Sequence, residues 1–279
     1  MNTRRMSITD LDFALNLTML EGWNSTKRDF EEILQFNPEG SFIGEVDGEP
    51  VGTVCTVNYG EFGFIGYLIV QNMYRGQNFG NILMKIAMKH LLNKGTKSIL
   101  LDGVPKAVSF YEQLGFRKIA KSLRLKATLT GQSSEYVRQM IPEDLDKISN
   151  FDTRHFGGSR KKFLEMRFLM FPEYCKVLEI NNEIQGFIMG SKSGNSIRVG
   201  PWVMNNHSQK GKDLLSTIAE SAKGNSLKLG VLEGNNEALN VLGKHGFEES
   251  SHSWRMLYGK DTEVTTSNHL YAIFHPARG

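Results

Sequence analysis

The stretch LIVQNMYRGQNFGNILM, from Leu68 to Met84, holds the residues best placed to do chemistry. An apolar run gives way to Arg75, Gly76 and Gly80, and helical spacing follows. A helix start leaves its first N–H groups without intrahelical acceptors, and the helix dipole adds partial positive charge there. Glycine lets the main chain approach a phosphate closely, and Arg75 supplies a charged donor. Together these predict an anion site of the phosphate-binding kind. An ordinary strand-to-helix turn with a surface arginine would give the same letters.

The other reactive residue types exclude more than they suggest. Cys55 and Cys175 lie far apart without metal-ligand spacing, which predicts two reduced thiols. The seven histidines show no pairing at metal spacing, so no metal is expected. Net charge is +3 with acids and bases mixed along the chain, too weak a bias to imply nucleic acid. The opening MNTRRMSITD has no apolar core behind it, and no run is long enough to span a membrane. A cytoplasmic protein is expected.

The elements that must position the loop follow from period and punctuation. Residues 7–36 read as helices separated by GWNST. SFIGEVDGEPVGTVCTVN reads as a hairpin turning at Asp47-Gly48. FGFIGYLIV is a strand apolar enough to be buried on both faces. GNILMKIAMKHLLNKG is helical, with Leu83, Ile86, Ala87, His90 and Leu91 on one face and Gly95 as terminator. SILLDGV is a strand, PKAVSFYEQLG a helix with Pro105 near its first turn, and FRKIAKSLRLKATL a closing strand.

After the polar, turn-like TGQSSE (Thr130 to Glu135) the order restarts. An offset of 131 residues maps Gly80 to Gly211, Leu83 to Leu214, Leu101-Asp102-Gly103 to Leu232-Glu233-Gly234, Ala107 to Ala238 and Gly115-Phe116 to Gly246-Phe247. No gap is needed across a helix, a strand and another helix. The chain therefore reads as two copies of one αβ domain, 1–131 and 132–279. KAVSFYEQLGF and EALNVLGKHGF are the clearest remnant, and they differ in one telling place: Tyr111 against Leu242.

The strand, the loop Arg75-Gly76-Gln77-Asn78-Phe79-Gly80, the helix behind it and FYEQLGF one strand later resemble the GNAT superfamily of acyl-CoA-dependent N-acetyltransferases. Its loop reads Arg/Gln-x-x-Gly-x-Gly/Ala; Asn78 replaces the middle glycine, and asparagine is the next best residue for positive φ. Val104 stands where the family often has an asparagine. The resemblance implies an α/β (α+β) fold of two tandem GNAT-type domains. Each would be a mixed, mostly antiparallel sheet flanked by helices, with a splayed central strand pair. It further implies that acetyl-CoA is the donor, its pantetheine arm pairing with the backbone of Leu68, Ile69 and Val70. The amides from Arg75 through Gly76, Gln77, Asn78, Phe79, Gly80 and Asn81 would hold the pyrophosphate, and the N–H of Ile69 or Val70 would stabilise the oxyanion. Tyr111 matches the tyrosine proposed to assist the departing thiolate.

The acceptor implied is a primary amine on a small molecule or peptide. Glu61 and Asp102 are candidates for its base, although each reads more simply as a solvated strand-end carboxylate. The offset of 131 sets Asn206 opposite Arg75, His207 opposite Gly76 and Pro201 opposite Val70, so the second copy is expected to lack the usual cofactor site. It would instead wall the acceptor pocket, with Trp202, His155, Phe156 and Arg160 as candidates for lining it or for ordinary core and surface roles. A non-catalytic acyl-CoA sensor, or an enzyme using a longer acyl or aminoacyl donor, remains open.

Overall fold

A computed structural model describes residues 1–23, 25–205, 210–261 and 267–279. It divides into two compact units: Met1–Leu101 with 257–260 and Arg278, and Asp102–Met256 with 261–277 and Gly279.

In the first unit, strands β1 (Asn2–Arg5), β2 (Ser41–Val46), β3 (Glu49–Asn58), β4 (Phe62–Val70) and most of β5 (Ser98–Gly103) lie side by side in that order. Asp47 and Gly48 take φ of 52° and 86°, the double left-handed turn that closes the β2–β3 hairpin. Helices α1 (Leu11–Leu20) and α2 (Lys27–Phe36) precede the hairpin, as expected. Thr26 caps α2: its hydroxyl accepts from Asp29 N–H at 3.3 Å while the Asp29 carboxylate accepts from Thr26 N–H at 2.8 Å. Helix α3 (Phe79–Asn93) packs on β2, β3 and β4. Leu83, Ala87 and Leu91 are buried as predicted; Met84 and Met88 share the buried face, while Ile86 and His90 are half-buried.

The second unit contains α4 (Val108–Gln113), β6 (Arg117–Ala127), β7 (Val137–Gln139), α5 (Leu145–Phe156), α6 (Lys161–Met170), β8 (Lys176–Ile180), β9 (Glu183–Ser193) and β10 (Ser196–Met204). It continues through α7 (Gly211–Ala222), β11 (Ser226–Leu232), α8 (Asn236–Lys244), most of β12 (Glu248–Gly259) and β13 (Leu270–Ala272). Its sheet runs β6-β11-β10-β9-β8-β7, with β13 on β10 and β12 beside β6. Trp202, Leu214, Ile218, Val231 and Leu242 form its core.

In each unit the strands are mixed and mostly antiparallel, with helices against them, as the resemblance implies. The compact units do not coincide with the sequence copies, because strand pairing crosses the repeat. β6, written in the first copy, pairs with β11 of the second from Ser122↔Leu232 to Ala127↔Leu227. The TGQSSE segment after β6 docks on α7, where Ser216 Oγ accepts from Gln132 N–H and donates to Gln132 C=O, both at 3.0 Å.

Candidate functional site

The site begins with a fault in β4. Gly66 pairs with Cys55 and Ile69 with Thr53, so Tyr67 and Leu68 together face the single residue Val54. This is a β-bulge. Tyr67 carries it at φ 52°, a left-handed conformation that a bulky residue rarely adopts. On its other side β4 runs parallel to β5 only from Phe62↔Ser98 to Phe64↔Leu100. Among the described residues of this unit, no strand pairs with that edge beyond Phe64.

Alternation then assigns the backbone groups. Gln71 N–H donates to Val51 C=O on β3 at 2.9 Å. Ile69, two residues earlier, turns the same way, and Val70 therefore presents its N–H and C=O to the open edge. Arg75 Nε meets that Val70 carbonyl at 2.9 Å, and the guanidinium also pairs with Glu21 at the end of α1. Gly76 takes φ 78° and Asn78 φ 63°, so the asparagine does adopt the turn the motif requires. Asn78 precedes α3, whose ladder begins with Ile82 N–H to Asn78 C=O at 3.2 Å. The amides of Phe79, Gly80 and Asn81 lie before that first bond, at the positive end of the helix. Leu68 through Asn81 thus come together in the first unit as an open strand edge leading into an amide-rich turn.

Tyr111 belongs to the second unit. Its ring is half-buried, edge-on to Phe110 and Phe116, and burial pushes its hydroxyl up to about 12. The two candidate bases sit in different surroundings. Glu61 is exposed, and pairing with Lys97 at 2.6 Å holds its carboxyl below the ordinary value. It precedes β4 at the end away from the bulge, six residues or roughly 20 Å from Tyr67. Asp102 is not a solvated strand-end group. Burial raises its carboxyl, but Arg255 and Arg124 outweigh burial and hold it below the usual range. Arg124 Nη2 lies 3.0 Å away, and Ser122 Oγ donates at 2.9 Å. Burial pushes both thiols, Cys55 and Cys175, up to about 12, so neither is a nucleophile.

The second unit repeats the architecture and closes it. Val70 pairs with Gly52, and Met204 pairs with Gly186. Gln71 N–H reaches Val51 C=O, and Asn205 N–H reaches Gln185 C=O at 2.7 Å. Val70 therefore corresponds to Met204 and Leu68 to Trp202, an offset of 134. Pro201 falls opposite Tyr67, in the bulge, which corrects the pairing with Val70 that a constant offset of 131 gives. Since Gly80 still matches Gly211, the second copy has six residues between Met204 and Gly211 where the first has nine between Val70 and Gly80. Asn206 and His207 lie outside the described residues.

The edge that is open on β4 is occupied on β10. β10 runs parallel to β11 only through Val199↔Leu229; beyond that β13 enters, pairing Trp202↔Ala272 and Val203↔Leu270. Met204 N–H donates to His269 C=O and Ile273 N–H to Gly230 C=O, both at 2.9 Å. Asn235 Nδ2 holds the carbonyls of Asn268 and Leu270 at 3.0 Å, and Tyr271 OH donates to Glu237 at 2.8 Å.

The suggested lining residues of the second copy are mostly interior. Trp202 is core against Tyr271, and Phe156 is buried. Arg160 is neither lining nor solvated: it is 1% exposed, forks onto Asp152 at 2.5 and 2.9 Å, and stacks on Phe156. The His155 ring lies tilted against His269, centroids 4.3 Å apart, and burial, then that neighbour, lower it to about 4. Among the described residues no three His, Cys, Asp or Glu side chains group as metal ligands, and no helix is long and apolar enough to cross a membrane. Sequence reasoning missed Glu21, the partner of Arg75, a lone charge with no motif around it.

A bulged central strand is present twice, and in the first copy it runs into an amide-rich helix start; this is the arrangement of the GNAT class of acyltransferase. The profile of the acetyltransferase (GNAT) family matches residues 11–116, and that of an acetyltransferase (GNAT) domain matches residues 148–272. The chain belongs to the GNAT acetyltransferase family, with two such domains, and is an acyltransferase. It is 26% identical over 260 residues to a holothin acyltransferase of Pseudoalteromonas, covering 92% of this chain and 87% of that one. An acetyltransferase of Yersinia pestis is 31% identical over 101 residues, covering 35% of this chain and 72% of that one. A Pyrococcus horikoshii structure, described provisionally as an acetyltransferase, superposes with a TM-score of 0.84 at 19% identity, covering 100% and 95% of the two chains.

Proposed function

We propose that the protein is an N-acetyltransferase that moves an acetyl group from acetyl-CoA to a primary amine of a small molecule or peptide, acting in the cytoplasm. Family members generally use acyl-CoA donors. The observation that carries the reading is the open edge of β4 beyond Phe64, ending in the turn that starts α3. β13 supports it: an extended chain of amides fits the corresponding edge of β10. Pantetheine is also a chain of amides.

The residues fit the donor as follows. Leu68, Ile69 and Val70 line the edge for the pantetheine arm, and the amides from Arg75 to Asn81 receive the pyrophosphate. Arg75 braces the turn through Val70 and Glu21 while contributing charge. The thioester supplies an activated acyl group. Val70 N–H, on the open edge, is our choice over Ile69 N–H for the developing oxyanion. The amine nitrogen bonds to the acyl carbon, the C–S bond breaks, and the amine's proton passes to water. The assignment of Tyr111 to this site rests on its motif. With its hydroxyl near 12 and a thiol near 8.5, full transfer to the thiolate is uphill by about 5 kcal/mol. Tyr111 therefore donates a hydrogen bond to the leaving sulfur. Copy 1–131 then binds the donor, while in copy 132–279 β13 already fills the corresponding edge.

Calorimetric titration with acetyl-CoA tests the reading. Arg75→Ala is expected to weaken binding ~10–100-fold, the worth of a charge-assisted hydrogen bond. Equal affinity removes the phosphate-loop assignment. A panel of amines giving no thiol release despite tight binding would instead indicate a sensor, which the valine at position 104 favours.

A further inference from the structure

The bulge in β4 is held in place by a residue distant in sequence. Tyr67 is 3% exposed and left-handed, a conformation that persists only where its surroundings enforce it. Its ring lies on Phe30 of α2, centroids 4.4 Å apart, with Trp23 at 6.4 Å. Helix α2 is in turn held by Arg278, which is 0% exposed and part of the same compact unit. Arg278 Nη2 lies 2.7 Å from Glu32 and 3.1 Å from Asp29, and Nη1 lies 3.4 Å from the Asp29 carbonyl. The Arg278 carbonyl accepts from Tyr59 OH at 2.6 Å, and Tyr59, just after β3, meets Phe36 of α2. The groups that face the guanidinium are Glu32, Asp29, Tyr67 and Tyr59.

We propose that Arg278 is a positioning residue for acyl transfer: with Nη2 bridging Asp29 and Glu32 and Nη1 on the Asp29 carbonyl, it fixes α2 under Tyr67, and so holds β4 in the bulged form that opens its edge. This rests on the reading of that edge as the seat of the pantetheine arm. The guanidinium geometry carries the role. A lysine keeps the charge but, as a point donor on a flexible stem, does not span two carboxylates and a carbonyl at once.

The test is hydrogen exchange with CoA as probe, on the full chain. In the wild type, CoA is expected to slow exchange at least ~10-fold in both Leu68–Val70 and Gln77–Asn81, in line with a hydrogen bond of ~1.4 kcal/mol. In Arg278→Lys, slowing is expected to remain at Gln77–Asn81 and fall below twofold at Leu68–Val70. A purely stabilising role would lower the melting temperature and leave both segments protected. Should Arg278→Lys not fold, the triple variant Asp29→Asn, Glu32→Gln, Arg278→Met removes the three charges of this cluster together, and the same loss at Leu68–Val70 is expected. Protection of both segments, or loss at both, in the folded variant overturns the proposal. No slowing anywhere in the wild type overturns the acyl-CoA reading itself.

Discussion

Tyr111 separates the two copies chemically, and its surroundings say how it can act. Two phenylalanine rings flank it, and burial alone pushes its hydroxyl up to about 12. The sign is that of a raised acid: the folded protein holds the proton more tightly than the unfolded chain does near 10. The stability this brings is complete below about pH 10 and lost as the pH rises toward 12. The hydroxyl thus stays protonated across the range in which a lysine-like amine, pKa ~10.4, becomes neutral. We predict that Tyr111→Phe lowers kcat by ~10–100-fold, the worth of one hydrogen bond to a charged group, with KM for acetyl-CoA little changed. Wild-type kcat should rise from pH 7 to 10 without a descending limb. A descending limb below pH 10 that vanishes in the phenylalanine variant would show that Tyr111 titrates there and acts as a proton donor.

At the scale of elements, the segment between the copies is instructive. TGQSSE reads as a linker, yet Gly131 lies so close to α7 that an added Cβ would meet Ser216 C=O and Glu220 N–H. Helix backbone cannot step aside cheaply. Gly131→Ala should destabilise by ~1–3 kcal/mol, as overpacking does. In a free linker the same change stabilises by ~0.4–1 kcal/mol through chain entropy. Chemical denaturation therefore decides the matter by sign, and a stabilised variant would show the segment undocked.

The same contrast marks what the sequence discloses about elements. Asp47-Gly48 and Asn181-Asn182 announce their hairpins because only certain residues tolerate positive φ. β4 and α3 are legible because their periods differ. The turn before α3 is legible through Asn78, which takes φ 63°. The pairing of β6 with β11 is not, since a period-two pattern says which face is buried and not which strand lies alongside. Asp102 is misjudged for a related reason: its partners Arg124 and Arg255 sit on strands 22 and 153 residues away. β13 is three residues long, and Arg278 is a solitary charge, so neither has a pattern to detect.

For the whole molecule, the question is how many donors one chain binds. The first copy has an open edge and nine residues in its turn; the second has six and a strand already in the gap. Evicting β13 would break Met204–His269, Ile273–Gly230, both Asn235 bonds and Tyr271–Glu237, and strip Tyr271 from Trp202. At about 1 kcal/mol net for each hydrogen bond, the cost is on the order of 5 kcal/mol before the ring is counted. That alone weakens a ligand there by three to four orders of magnitude, at ~1.4 kcal/mol per tenfold. We therefore predict a stoichiometry of one CoA per chain by calorimetry, unchanged up to millimolar ligand. Hydrogen exchange should agree, with CoA slowing Leu68–Val70 and leaving Trp202–Met204 as it was. A second binding event, or CoA-dependent exchange at Trp202–Met204, would mean that β13 is a displaceable strand and that the second copy still takes the donor.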